Sequence, residues 1–352
     1  MFGLLVLASA SWWVSQQELG DALYTIKRQL IWMLAGWALF SVVVRTPLKR
    51  WLQLAAPALL IGTGLVALTL LIGTTVNGAS RWLVLGPIQL QPTELIKPFI
   101  VLQGAVLFSQ WRRLALDQRV LWMAILGGII LLILKQPNLS TASLTGLVLW
   151  LMALASGLPL HWLVGIAGLG LTAGTTSILI NDYQRLRVTS FLDPWQDPLG
   201  NGYQLVQSLL AIGSGGLSGS GYGLSTQKLM YLPIQTTDFI FAVYAEEFGF
   251  VGSVVVLLFL AVFALMGLRV ALRSRGNQLR LVAIGCTTIL VGQSIMNIAV
   301  ASGAMPTTGL PLPLVSYGGN SLLASLFIAG LLVRCSLESA DPLSLSSRPS
   351  RS

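Results

Sequence analysis

The sequence predicts an all-α integral membrane protein with about ten transmembrane helices, and three observations carry that prediction. Hydrophobic residues fill 55% of the 352 positions and charged residues only 9%, where a soluble domain is about a quarter charged. Apolar runs near the ~20 residues needed to cross a hydrocarbon core recur along the chain, and mean hydropathy is +0.78. The basic residues gather in alternate connections, the pattern left by short cytoplasmic loops.

Taken in order, the runs fall at about 2–15, 29–45, 52–73, 94–109, 119–134, 141–156, 158–180, 240–267, 281–301 and 319–334. The first is short, and Ala8-Ser9-Ala10 resembles a signal-peptidase site. No Lys or Arg precedes it, however, and a signal peptide needs a basic start, so it is read as a span that begins abruptly, as it would if the natural start lay upstream. With both termini inside, thirteen of the 21 Lys and Arg residues lie on the cytoplasmic side: Arg45, Lys49, Arg50, Arg112, Arg113, Arg119, Arg269, Arg273, Arg275, Arg280, Arg334, Arg348 and Arg351. The formal charge of +9 then reflects topology and calls for no nucleic-acid partner. One polytopic domain is expected over 1–336, followed by a short disordered cytoplasmic tail over 337–352.

Three long polar segments fall on the extracytoplasmic side. They are 74–93, a large loop at about 181–239, and a broken, proline-rich stretch at 302–318. Cys286 and Cys335 lie in or near the inner half, so they form no disulfide framework on the oxidising side. The only histidine, His161, sits in an inner connection. That removes a Ser-His-Asp or Cys-His arrangement from the outer face, and an outer general base must be a carboxylate. No Walker A sequence and no G-x-G-x-x-G after a strand is present. The glycines of 213–223 are expected to supply turns, the alternative being a backbone cradle for phosphate.

Carboxylates are scarce, twelve in all, yet Asp238, Glu246 and Glu247 cluster where the eighth span begins, in Thr237-Asp-Phe-Ile-Phe-Ala-Val-Tyr-Ala-Glu-Glu247. Ionised groups carried into hydrocarbon are costly and mark pathways, pairs or reaction sites. Asp238 reads either as an N-cap or as a base. Helical geometry puts Glu246 roughly 12 Å further on and about 80° round, able to share a cavity with Asp238, and Glu247 about 180° round, facing another helix. A second cluster runs through Asn77-Gly-Ala-Ser-Arg81-Trp82 and Gln91-Pro-Thr-Glu94-Leu-Ile-Lys97-Pro98. Glu94 and Lys97 are either an i,i+3 surface pair with Lys97 snorkelling, or Lys97 and Arg81 hold phosphate. The third cluster, Met305 to Ser321, carries Pro306, Pro311 and Pro313 before a helix that opens near Gly319. Such broken backbone is buried in protein or lines a cavity. Gly318, Gly319, Asn320 and Ser321 there form either a packed re-entrant turn or an anion site at a helix N-terminus. With no soluble domain to hold a nucleotide sugar, a pyrophosphate-bearing donor is expected to be lipid-linked.

These segments closely resemble the SEDS (FtsW/RodA-like) family of bacterial cell-wall proteins, over nearly the whole chain. The resemblance runs through Ser9-Ala-Ser11, Arg28-Gln29, Gly78-Ala-Ser-Arg81-Trp82, Gln91-Pro-Thr-Glu94, Lys97-Pro98, Asp193-Pro-Trp195 and Gly202-Tyr-Gln204. It continues in Gln207-Ser208, Gly215-Gly216, Lys228, Leu232-Pro233, Thr237-Asp-Phe-Ile-Phe241, Glu246-Glu-Phe-Gly249, Asn297 and Leu312-Pro-Leu-Val-Ser-Tyr-Gly-Gly319. It implies a multi-pass protein of the bacterial cytoplasmic (inner) membrane that polymerises lipid II on the outer face, an inverting peptidoglycan glycosyltransferase. The implied partners are a class B penicillin-binding transpeptidase and the machinery of division or elongation, with division favoured as for FtsW.

The resemblance makes Asp238 the catalytic residue. Arg81, Lys97, Lys228, Ser316, Gly319 and Asn320 become candidate substrate or pyrophosphate ligands, and Glu94, Thr237, Glu246 and Glu247 cavity supports. A divalent cation, Mg or Mn, is implied by the family, though no ligand cluster is visible in the sequence. Two departures stand out. Ile234-Gln-Thr236 replaces the family's usual Glu-Ala-His, and Gln136-Pro-Asn138-Leu-Ser140 replaces Gln-Pro-Asp-Leu-Gly, so auxiliary acid or metal-binding roles are not expected at those positions. A lipid II flippase or transporter, and a non-catalytic scaffold of the cell-wall machinery, are the alternative functions.

Overall fold

The computed structural model describes residues 1–76, 79–86 and 88–340. Asn77 and Gly78 of the second cluster, and 341–352 of the expected tail, lie outside the described residues. Thirteen helices are formed: α1 (Phe2–Leu19), α2 (Tyr24–Arg45), α3 (Leu48–Ile72), α4 (Pro92–Leu95), α5 (Lys97–Ser109), α6 (Leu116–Lys135), α7 (Leu139–Ala155), α8 (Leu160–Ile180), α9 (Asp182–Leu192), α10 (Tyr203–Ser214), α11 (Ile240–Arg273), α12 (Asn277–Ala301) and α13 (Gly319–Ala340). Every predicted span is met by a helix. Among the described residues α2, α3, α6, α8, α11, α12 and α13 are long and apolar enough to cross a membrane, and α1, the α4–α5 pair and α7 occupy the three shorter runs. Residues 337–340, expected in the tail, instead continue α13.

Polar residues at the connections end and start these helices. Gly20, in the left-handed region at φ 71°, closes α1 and donates its N–H to Gln16 O, the conformation that favours glycine after a helix C-terminus. Asn138 and Asn181 cap α7 and α9, their side-chain oxygens accepting from Thr141 N at 3.3 Å and Tyr183 N at 3.1 Å. A cap needs only an acceptor oxygen, so Asn138 serves where the family's usual residue is Asp.

α12 and α13 form the centre of the bundle, with more than half of each buried, whereas α8 and most of α11 present Leu169, Leu171, Val255, Phe259 and Met266 outward. Lipid tails supply no hydrophobic drive between helices, so close packing of small residues sets the contacts. Gly36 of α2 lies against Leu326 of α13, and Gly330 of α13 lies against Val43 and Phe40 of α2. One apolar core joins α3, α5, α6, α7, α12 and α13; a second joins α1, the start of α11 and the end of α12.

The polar segments hold more structure than expected. Residues 74–90 contain strands β1 (Thr74–Val76), β2 (Ala79–Leu85) and β3 (Ile88–Leu90), paired antiparallel in that order with Thr74 opposite Trp82 and Leu83 opposite Leu90. The β-branched and aromatic residues of these runs favour that pairing, which an all-α prediction did not contain. The large loop 181–239 carries α9 and the amphipathic α10, whose buried Ser208 donates to Ala301 O at 2.7 Å.

The glycines of 213–223 do supply turns: Gly216, Gly219, Gly221 and Gly223 all have positive φ. They fold the loop onto a break in α11. Gly249 there has φ 65° and ψ −163°, a conformation essentially confined to glycine. Around the break the freed backbone groups find partners in the loop: Ser220 N donates to Glu246 O at 2.9 Å, Gly221 N to Glu247 O at 3.0 Å, Phe250 N to Gly216 O at 2.9 Å and Val251 N to Leu217 O at 3.1 Å. A Cβ on Gly249 would meet Gly219 N and the Leu217 carbonyl. Gly249→Ala is therefore expected to destabilise the fold by about 1–3 kcal/mol, read as a lowered melting temperature in detergent; an unchanged melting temperature would show the break to be dispensable.

Candidate active site

Asp238 lies in a turn just before α11, whose N-cap is Phe239, so the N-cap reading of Asp238 does not hold. The carbonyls of its turn are taken one after another. Thr236 O accepts from Tyr317 N at 2.8 Å, Thr237 O from Ser316 Oγ at 2.5 Å, and Asp238 O from Asn297 Nδ2 at 2.8 Å. With its backbone clamped between α12 and the proline-rich segment, the turn presents the Asp238 side chain to a cavity of about 970 Å³.

That cavity is walled by α2 (Arg28, Trp32), the sheet (Arg81, Trp82, Gln89), α9 (Tyr183, Arg187), the Thr307–Gly309 stretch, and Tyr317 to Ser321 at the start of α13. Asp238 is the only carboxylate among its lining residues. Burial pushes the Asp238 carboxyl up to about 6, against the lowering influence of the Arg187 and Arg81 guanidinium groups and of the Thr237 hydrogen bond. Both arginines are held from behind. Arg81 donates from Nε to Gln136 O at 3.2 Å and from Nη2 to Pro137 O at 2.5 Å; Arg187 donates from Nη1 to Thr307 O at 3.0 Å and stacks 4.4 Å over the Tyr183 ring. Burial lowers the Arg81 pKa from its usual value, although a guanidinium remains charged throughout the working range.

Gly309 separates base from cation. A methyl group built there would sit 3.6 Å from Asp238 Oδ2 and 3.7 Å from Arg81 Nη1. The missing side chain at 309 thus leaves the Asp238 carboxylate and the Arg81 guanidinium both open to the cavity beside Gly309.

The other predicted site residues divide. Gly319 and Asn320 do line the cavity, Gly319 packed on Trp32 and Asn320 donating to Gln89 O at 2.7 Å. Thr237 lines it as well. Ser316 is absent from the lining: its hydroxyl is spent between Thr237 O and Leu312 N, inside a packed re-entrant turn.

Lys97 is neither an exposed partner nor a cavity ligand. It is 3% exposed and donates to Glu94 Oε1 at 2.6 Å and Gln293 Oε1 at 2.8 Å; Glu94 therefore supports the bundle interior rather than the cavity wall. Lys228, 1% exposed, donates to Glu247 Oε1 at 2.8 Å and Ser9 Oγ at 2.9 Å, away from the cavity. Glu247 thus pairs with α1 as expected and with the loop besides. Glu246 does not share the Asp238 cavity. Its oxygens accept from Ser225 Oγ at 2.5 Å and from Thr226 N at 2.8 Å, tying the loop to α11. The Glu94–Lys97 pairing expected from the i,i+3 spacing is thus present, but buried rather than at the surface, and charge alone does not tell a cavity cation from half of an internal pair.

Arg28, Trp32, Tyr183 and Arg187 were missed as site residues. Arg28 carried a signal, standing in a motif of the resemblance. Arg187 carried a weaker one, the i,i+4 spacing of Tyr183 and Arg187 in a segment read as loop.

A divalent cation does not fit these side chains. Among the described residues no three His, Cys, Asp or Glu side chains converge. The one cavity carboxylate faces two guanidinium groups, whereas Mg and Ca sites need several oxygen donors.

Comparison with known proteins agrees with this architecture. The family model described as "Cell cycle protein" (FtsW, RodA, SpoVE) matches residues 1–341. The chain is 54% identical, over 96% of its length and 86% of the relative, to a Synechocystis protein named "Probable peptidoglycan glycosyltransferase FtsW". It is 35% identical to a protein of the same name in Geobacter sulfurreducens, covering 95% and 91% of the two chains. Among solved structures, a chain of a peptidoglycan synthase complex that coordinates polymerization and crosslinking superposes with TM-score 0.74 at 32% identity, covering 97% of this chain and 98% of that one. Thermus thermophilus rod shape determining protein RodA superposes with TM-score 0.68 at 29% identity, covering 96% of each. A bundle of long apolar helices around one carboxylate-and-arginine cavity, with a match that runs from residue 1 to 341, places the chain in the FtsW/RodA/SpoVE family, the SEDS glycosyltransferases, on its FtsW-like side.

Proposed function

We propose that the chain polymerises lipid II into glycan strands, with Asp238 as the general base. The Asp238 carboxylate accepts the proton of the acceptor GlcNAc 4-hydroxyl as that oxygen bonds to the donor MurNAc anomeric carbon. The anomeric C–O bond breaks with inversion, and its electron pair leaves on undecaprenyl pyrophosphate. Arg81 and Arg187 stand where negative charge grows on that leaving group, and fixed cations that need no reorganisation are the most effective stabilisers of such a transition state. The start of α13, with Gly319 and Asn320, offers a second polar wall for pyrophosphate or sugar hydroxyls. The observation that carries this reading is the placement of one carboxylate, Asp238, in a cavity it shares with the Arg81 and Arg187 guanidinium groups.

Internal pairing supports polymerisation over transport. Lys97 and Lys228 are each tied to a buried glutamate, so neither is a free interior charge of the kind that marks a transport path. The membrane is the bacterial cytoplasmic membrane, with the cavity facing outward. In support, the basic connections around Arg45–Arg50, Arg112–Arg119 and Arg269–Arg280 alternate with the Asp238 end along the chain. A class B penicillin-binding transpeptidase is the partner, in keeping with the synthase complex that this chain resembles, and division is the process served.

The test is reconstitution with lipid II and the partner transpeptidase, with strands resolved by length. Polymerisation is expected, with a rate that falls below about pH 6, because a base must be deprotonated to act. Arg187 lowers the carboxyl pKa, so Arg187→Ala is expected to move that acid limb upward and to slow the reaction about tenfold or more. Absence of strands at every pH, or a limb that moves downward, would count against the assignment.

A further inference from the structure

We infer that Asn297 and Gln293, one helical turn apart on α12, are positioning residues that set the separation between Asp238 and the Gly309 floor of the cavity. The inference rests on the proposed role of Asp238 as the base and adds the device that holds it.

Both carboxamides are buried, at 1% and 2% exposure, and both spend their N–H groups on backbone carbonyls of the site. Asn297 Nδ2 donates to Asp238 O at 2.8 Å and to Leu310 O at 2.8 Å. One amide nitrogen thereby bridges the base to the residue next to Gly309. Gln293 Nε2 donates to Pro311 O at 2.9 Å, and its Oε1 accepts from Lys97 Nζ at 2.8 Å. The buried Lys97–Glu94 pair thus reaches the site through Gln293, fixing which way that amide points.

The orientation of Asn297 carries a cost. With both N–H groups committed to carbonyls, Oδ1 is buried with no hydrogen-bond partner among the described residues. Orphaned buried acceptors are rare and call for an explanation. Turning the amide over would satisfy neither carbonyl, so the orphan persists because the two donors are needed where they are. The segment needs them because 306–313 forms no regular backbone ladder: Pro306, Pro311 and Pro313 lack N–H groups, and the carbonyls of Leu310 and Pro311 are held by the side chains of Asn297 and Gln293. A base must stand within about 3 Å of the proton it removes, and a misplacement of about 1 Å costs on the order of 100-fold in rate.

The experiment measures two quantities in Asn297→Ala, and in Gln293→Met as the variant that keeps side-chain bulk. The first is lipid II polymerisation, resolved into kcat and KM. The second needs no substrate: the titration midpoint of Asp238, followed by its infrared carboxyl band against an Asp238→Asn blank. The groups facing Asp238 are Arg81, Arg187, Tyr183 and Thr237, and neither substitution touches them directly. The expected result for Asn297→Ala is a kcat lowered about 30-fold or more with KM within about twofold, and a titration midpoint displaced toward the ordinary carboxylate value as the turn loosens and water enters. Gln293→Met is expected to shift both the same way by a smaller amount, and it decides alone if Asn297→Ala does not fold. A folded variant with wild-type kcat and midpoint, or one whose whole loss lies in KM, overturns the inference. A wild-type chain that fails to polymerise lipid II while the midpoint still moves would instead refute the functional reading and leave the positioning role standing.

Discussion

Asp238→Asn is expected to yield a folded membrane protein that makes no detectable glycan strands and melts higher than wild type at neutral pH. Removing a positioned general base lowers a rate by about 10²–10⁴-fold, enough to erase product in a polymerisation assay. The gain in stability has the same origin. Burial raises the Asp238 pKa to about 6 in the folded chain, above its value in an unfolded one, so protonation favours the fold. That contribution is fully present at low pH and is lost as pH rises through about 6. At pH 7.5 the wild type therefore carries a carboxylate at a site that disfavours it, a burden on the order of 1–2 kcal/mol once partial exposure is allowed for. Asparagine removes the charge and the burden together, the usual trade of activity for stability at a working site. Asp238→Glu keeps a carboxylate but displaces it by one methylene, and should retain a small fraction of activity with its own acid limb. Full activity in Asp238→Asn would remove the base from the mechanism, and an unchanged melting temperature would mean that the carboxylate is better solvated than its surroundings suggest.

Much of this architecture is legible in the sequence because lipid imposes a length and a polarity on each span. Each of the ten apolar runs is met by helix, seven of the helices among the described residues being long and apolar enough to cross a membrane, and the scarcity of acids drew attention to the cluster of Asp238, Glu246 and Glu247. The prolines at 306, 311 and 313 announced backbone that needs protein on every side, and the segment does dip into the bundle, where Gly3 of α1 lies against the Leu314 carbonyl. What stayed hidden depends on contacts between residues far apart in the chain. Arg187 becomes a site residue only because α9 forms inside a polar stretch and folds back over Thr307, 120 positions away. The Lys97–Glu94 pair was one of two readings the i,i+3 spacing offered, but its burial and the partner of Lys228 were not legible, because pattern does not give a charge its distant partners. Gly249 stood in a motif of the resemblance, Glu246-Glu-Phe-Gly249, but its positive-φ backbone, which lets the 215–224 loop enter the break in α11, has no local signature. The departures from the family's motifs follow the same logic: Gln235, where the family usually has Ala, donates its side-chain amide to Ala10 O at 3.1 Å and Lys228 O at 2.7 Å, a structural bond that only the folded loop makes visible.

The Lys228–Glu247 pair carries the other large expectation. Both side chains are almost fully buried, 1% and 2% exposed, and Ser9 Oγ completes the cluster at 2.5 Å from Glu247 Oε1 and 2.9 Å from Lys228 Nζ. A buried ion pair contributes little net stability, since desolvation offsets most of the attraction, but removal of one partner strands the other and costs about 3–5 kcal/mol. Lys228→Met and Glu247→Gln should each lower the melting temperature severely and reduce the amount of protein in the membrane. The double variant leaves no charge stranded and should recover most of the loss, a coupling that a double-mutant cycle measures directly. Activity should follow stability in this series, because Gln235, three residues before Asp238, hangs from the Lys228 carbonyl, so a loop that lets go of Glu247 also loosens the turn that holds the base. Two outcomes would break this chain of reasoning: single variants as stable as wild type, which would mean that water reaches the pair, or single losses that simply add in the double, which would mean that each residue stabilises the fold through packing alone.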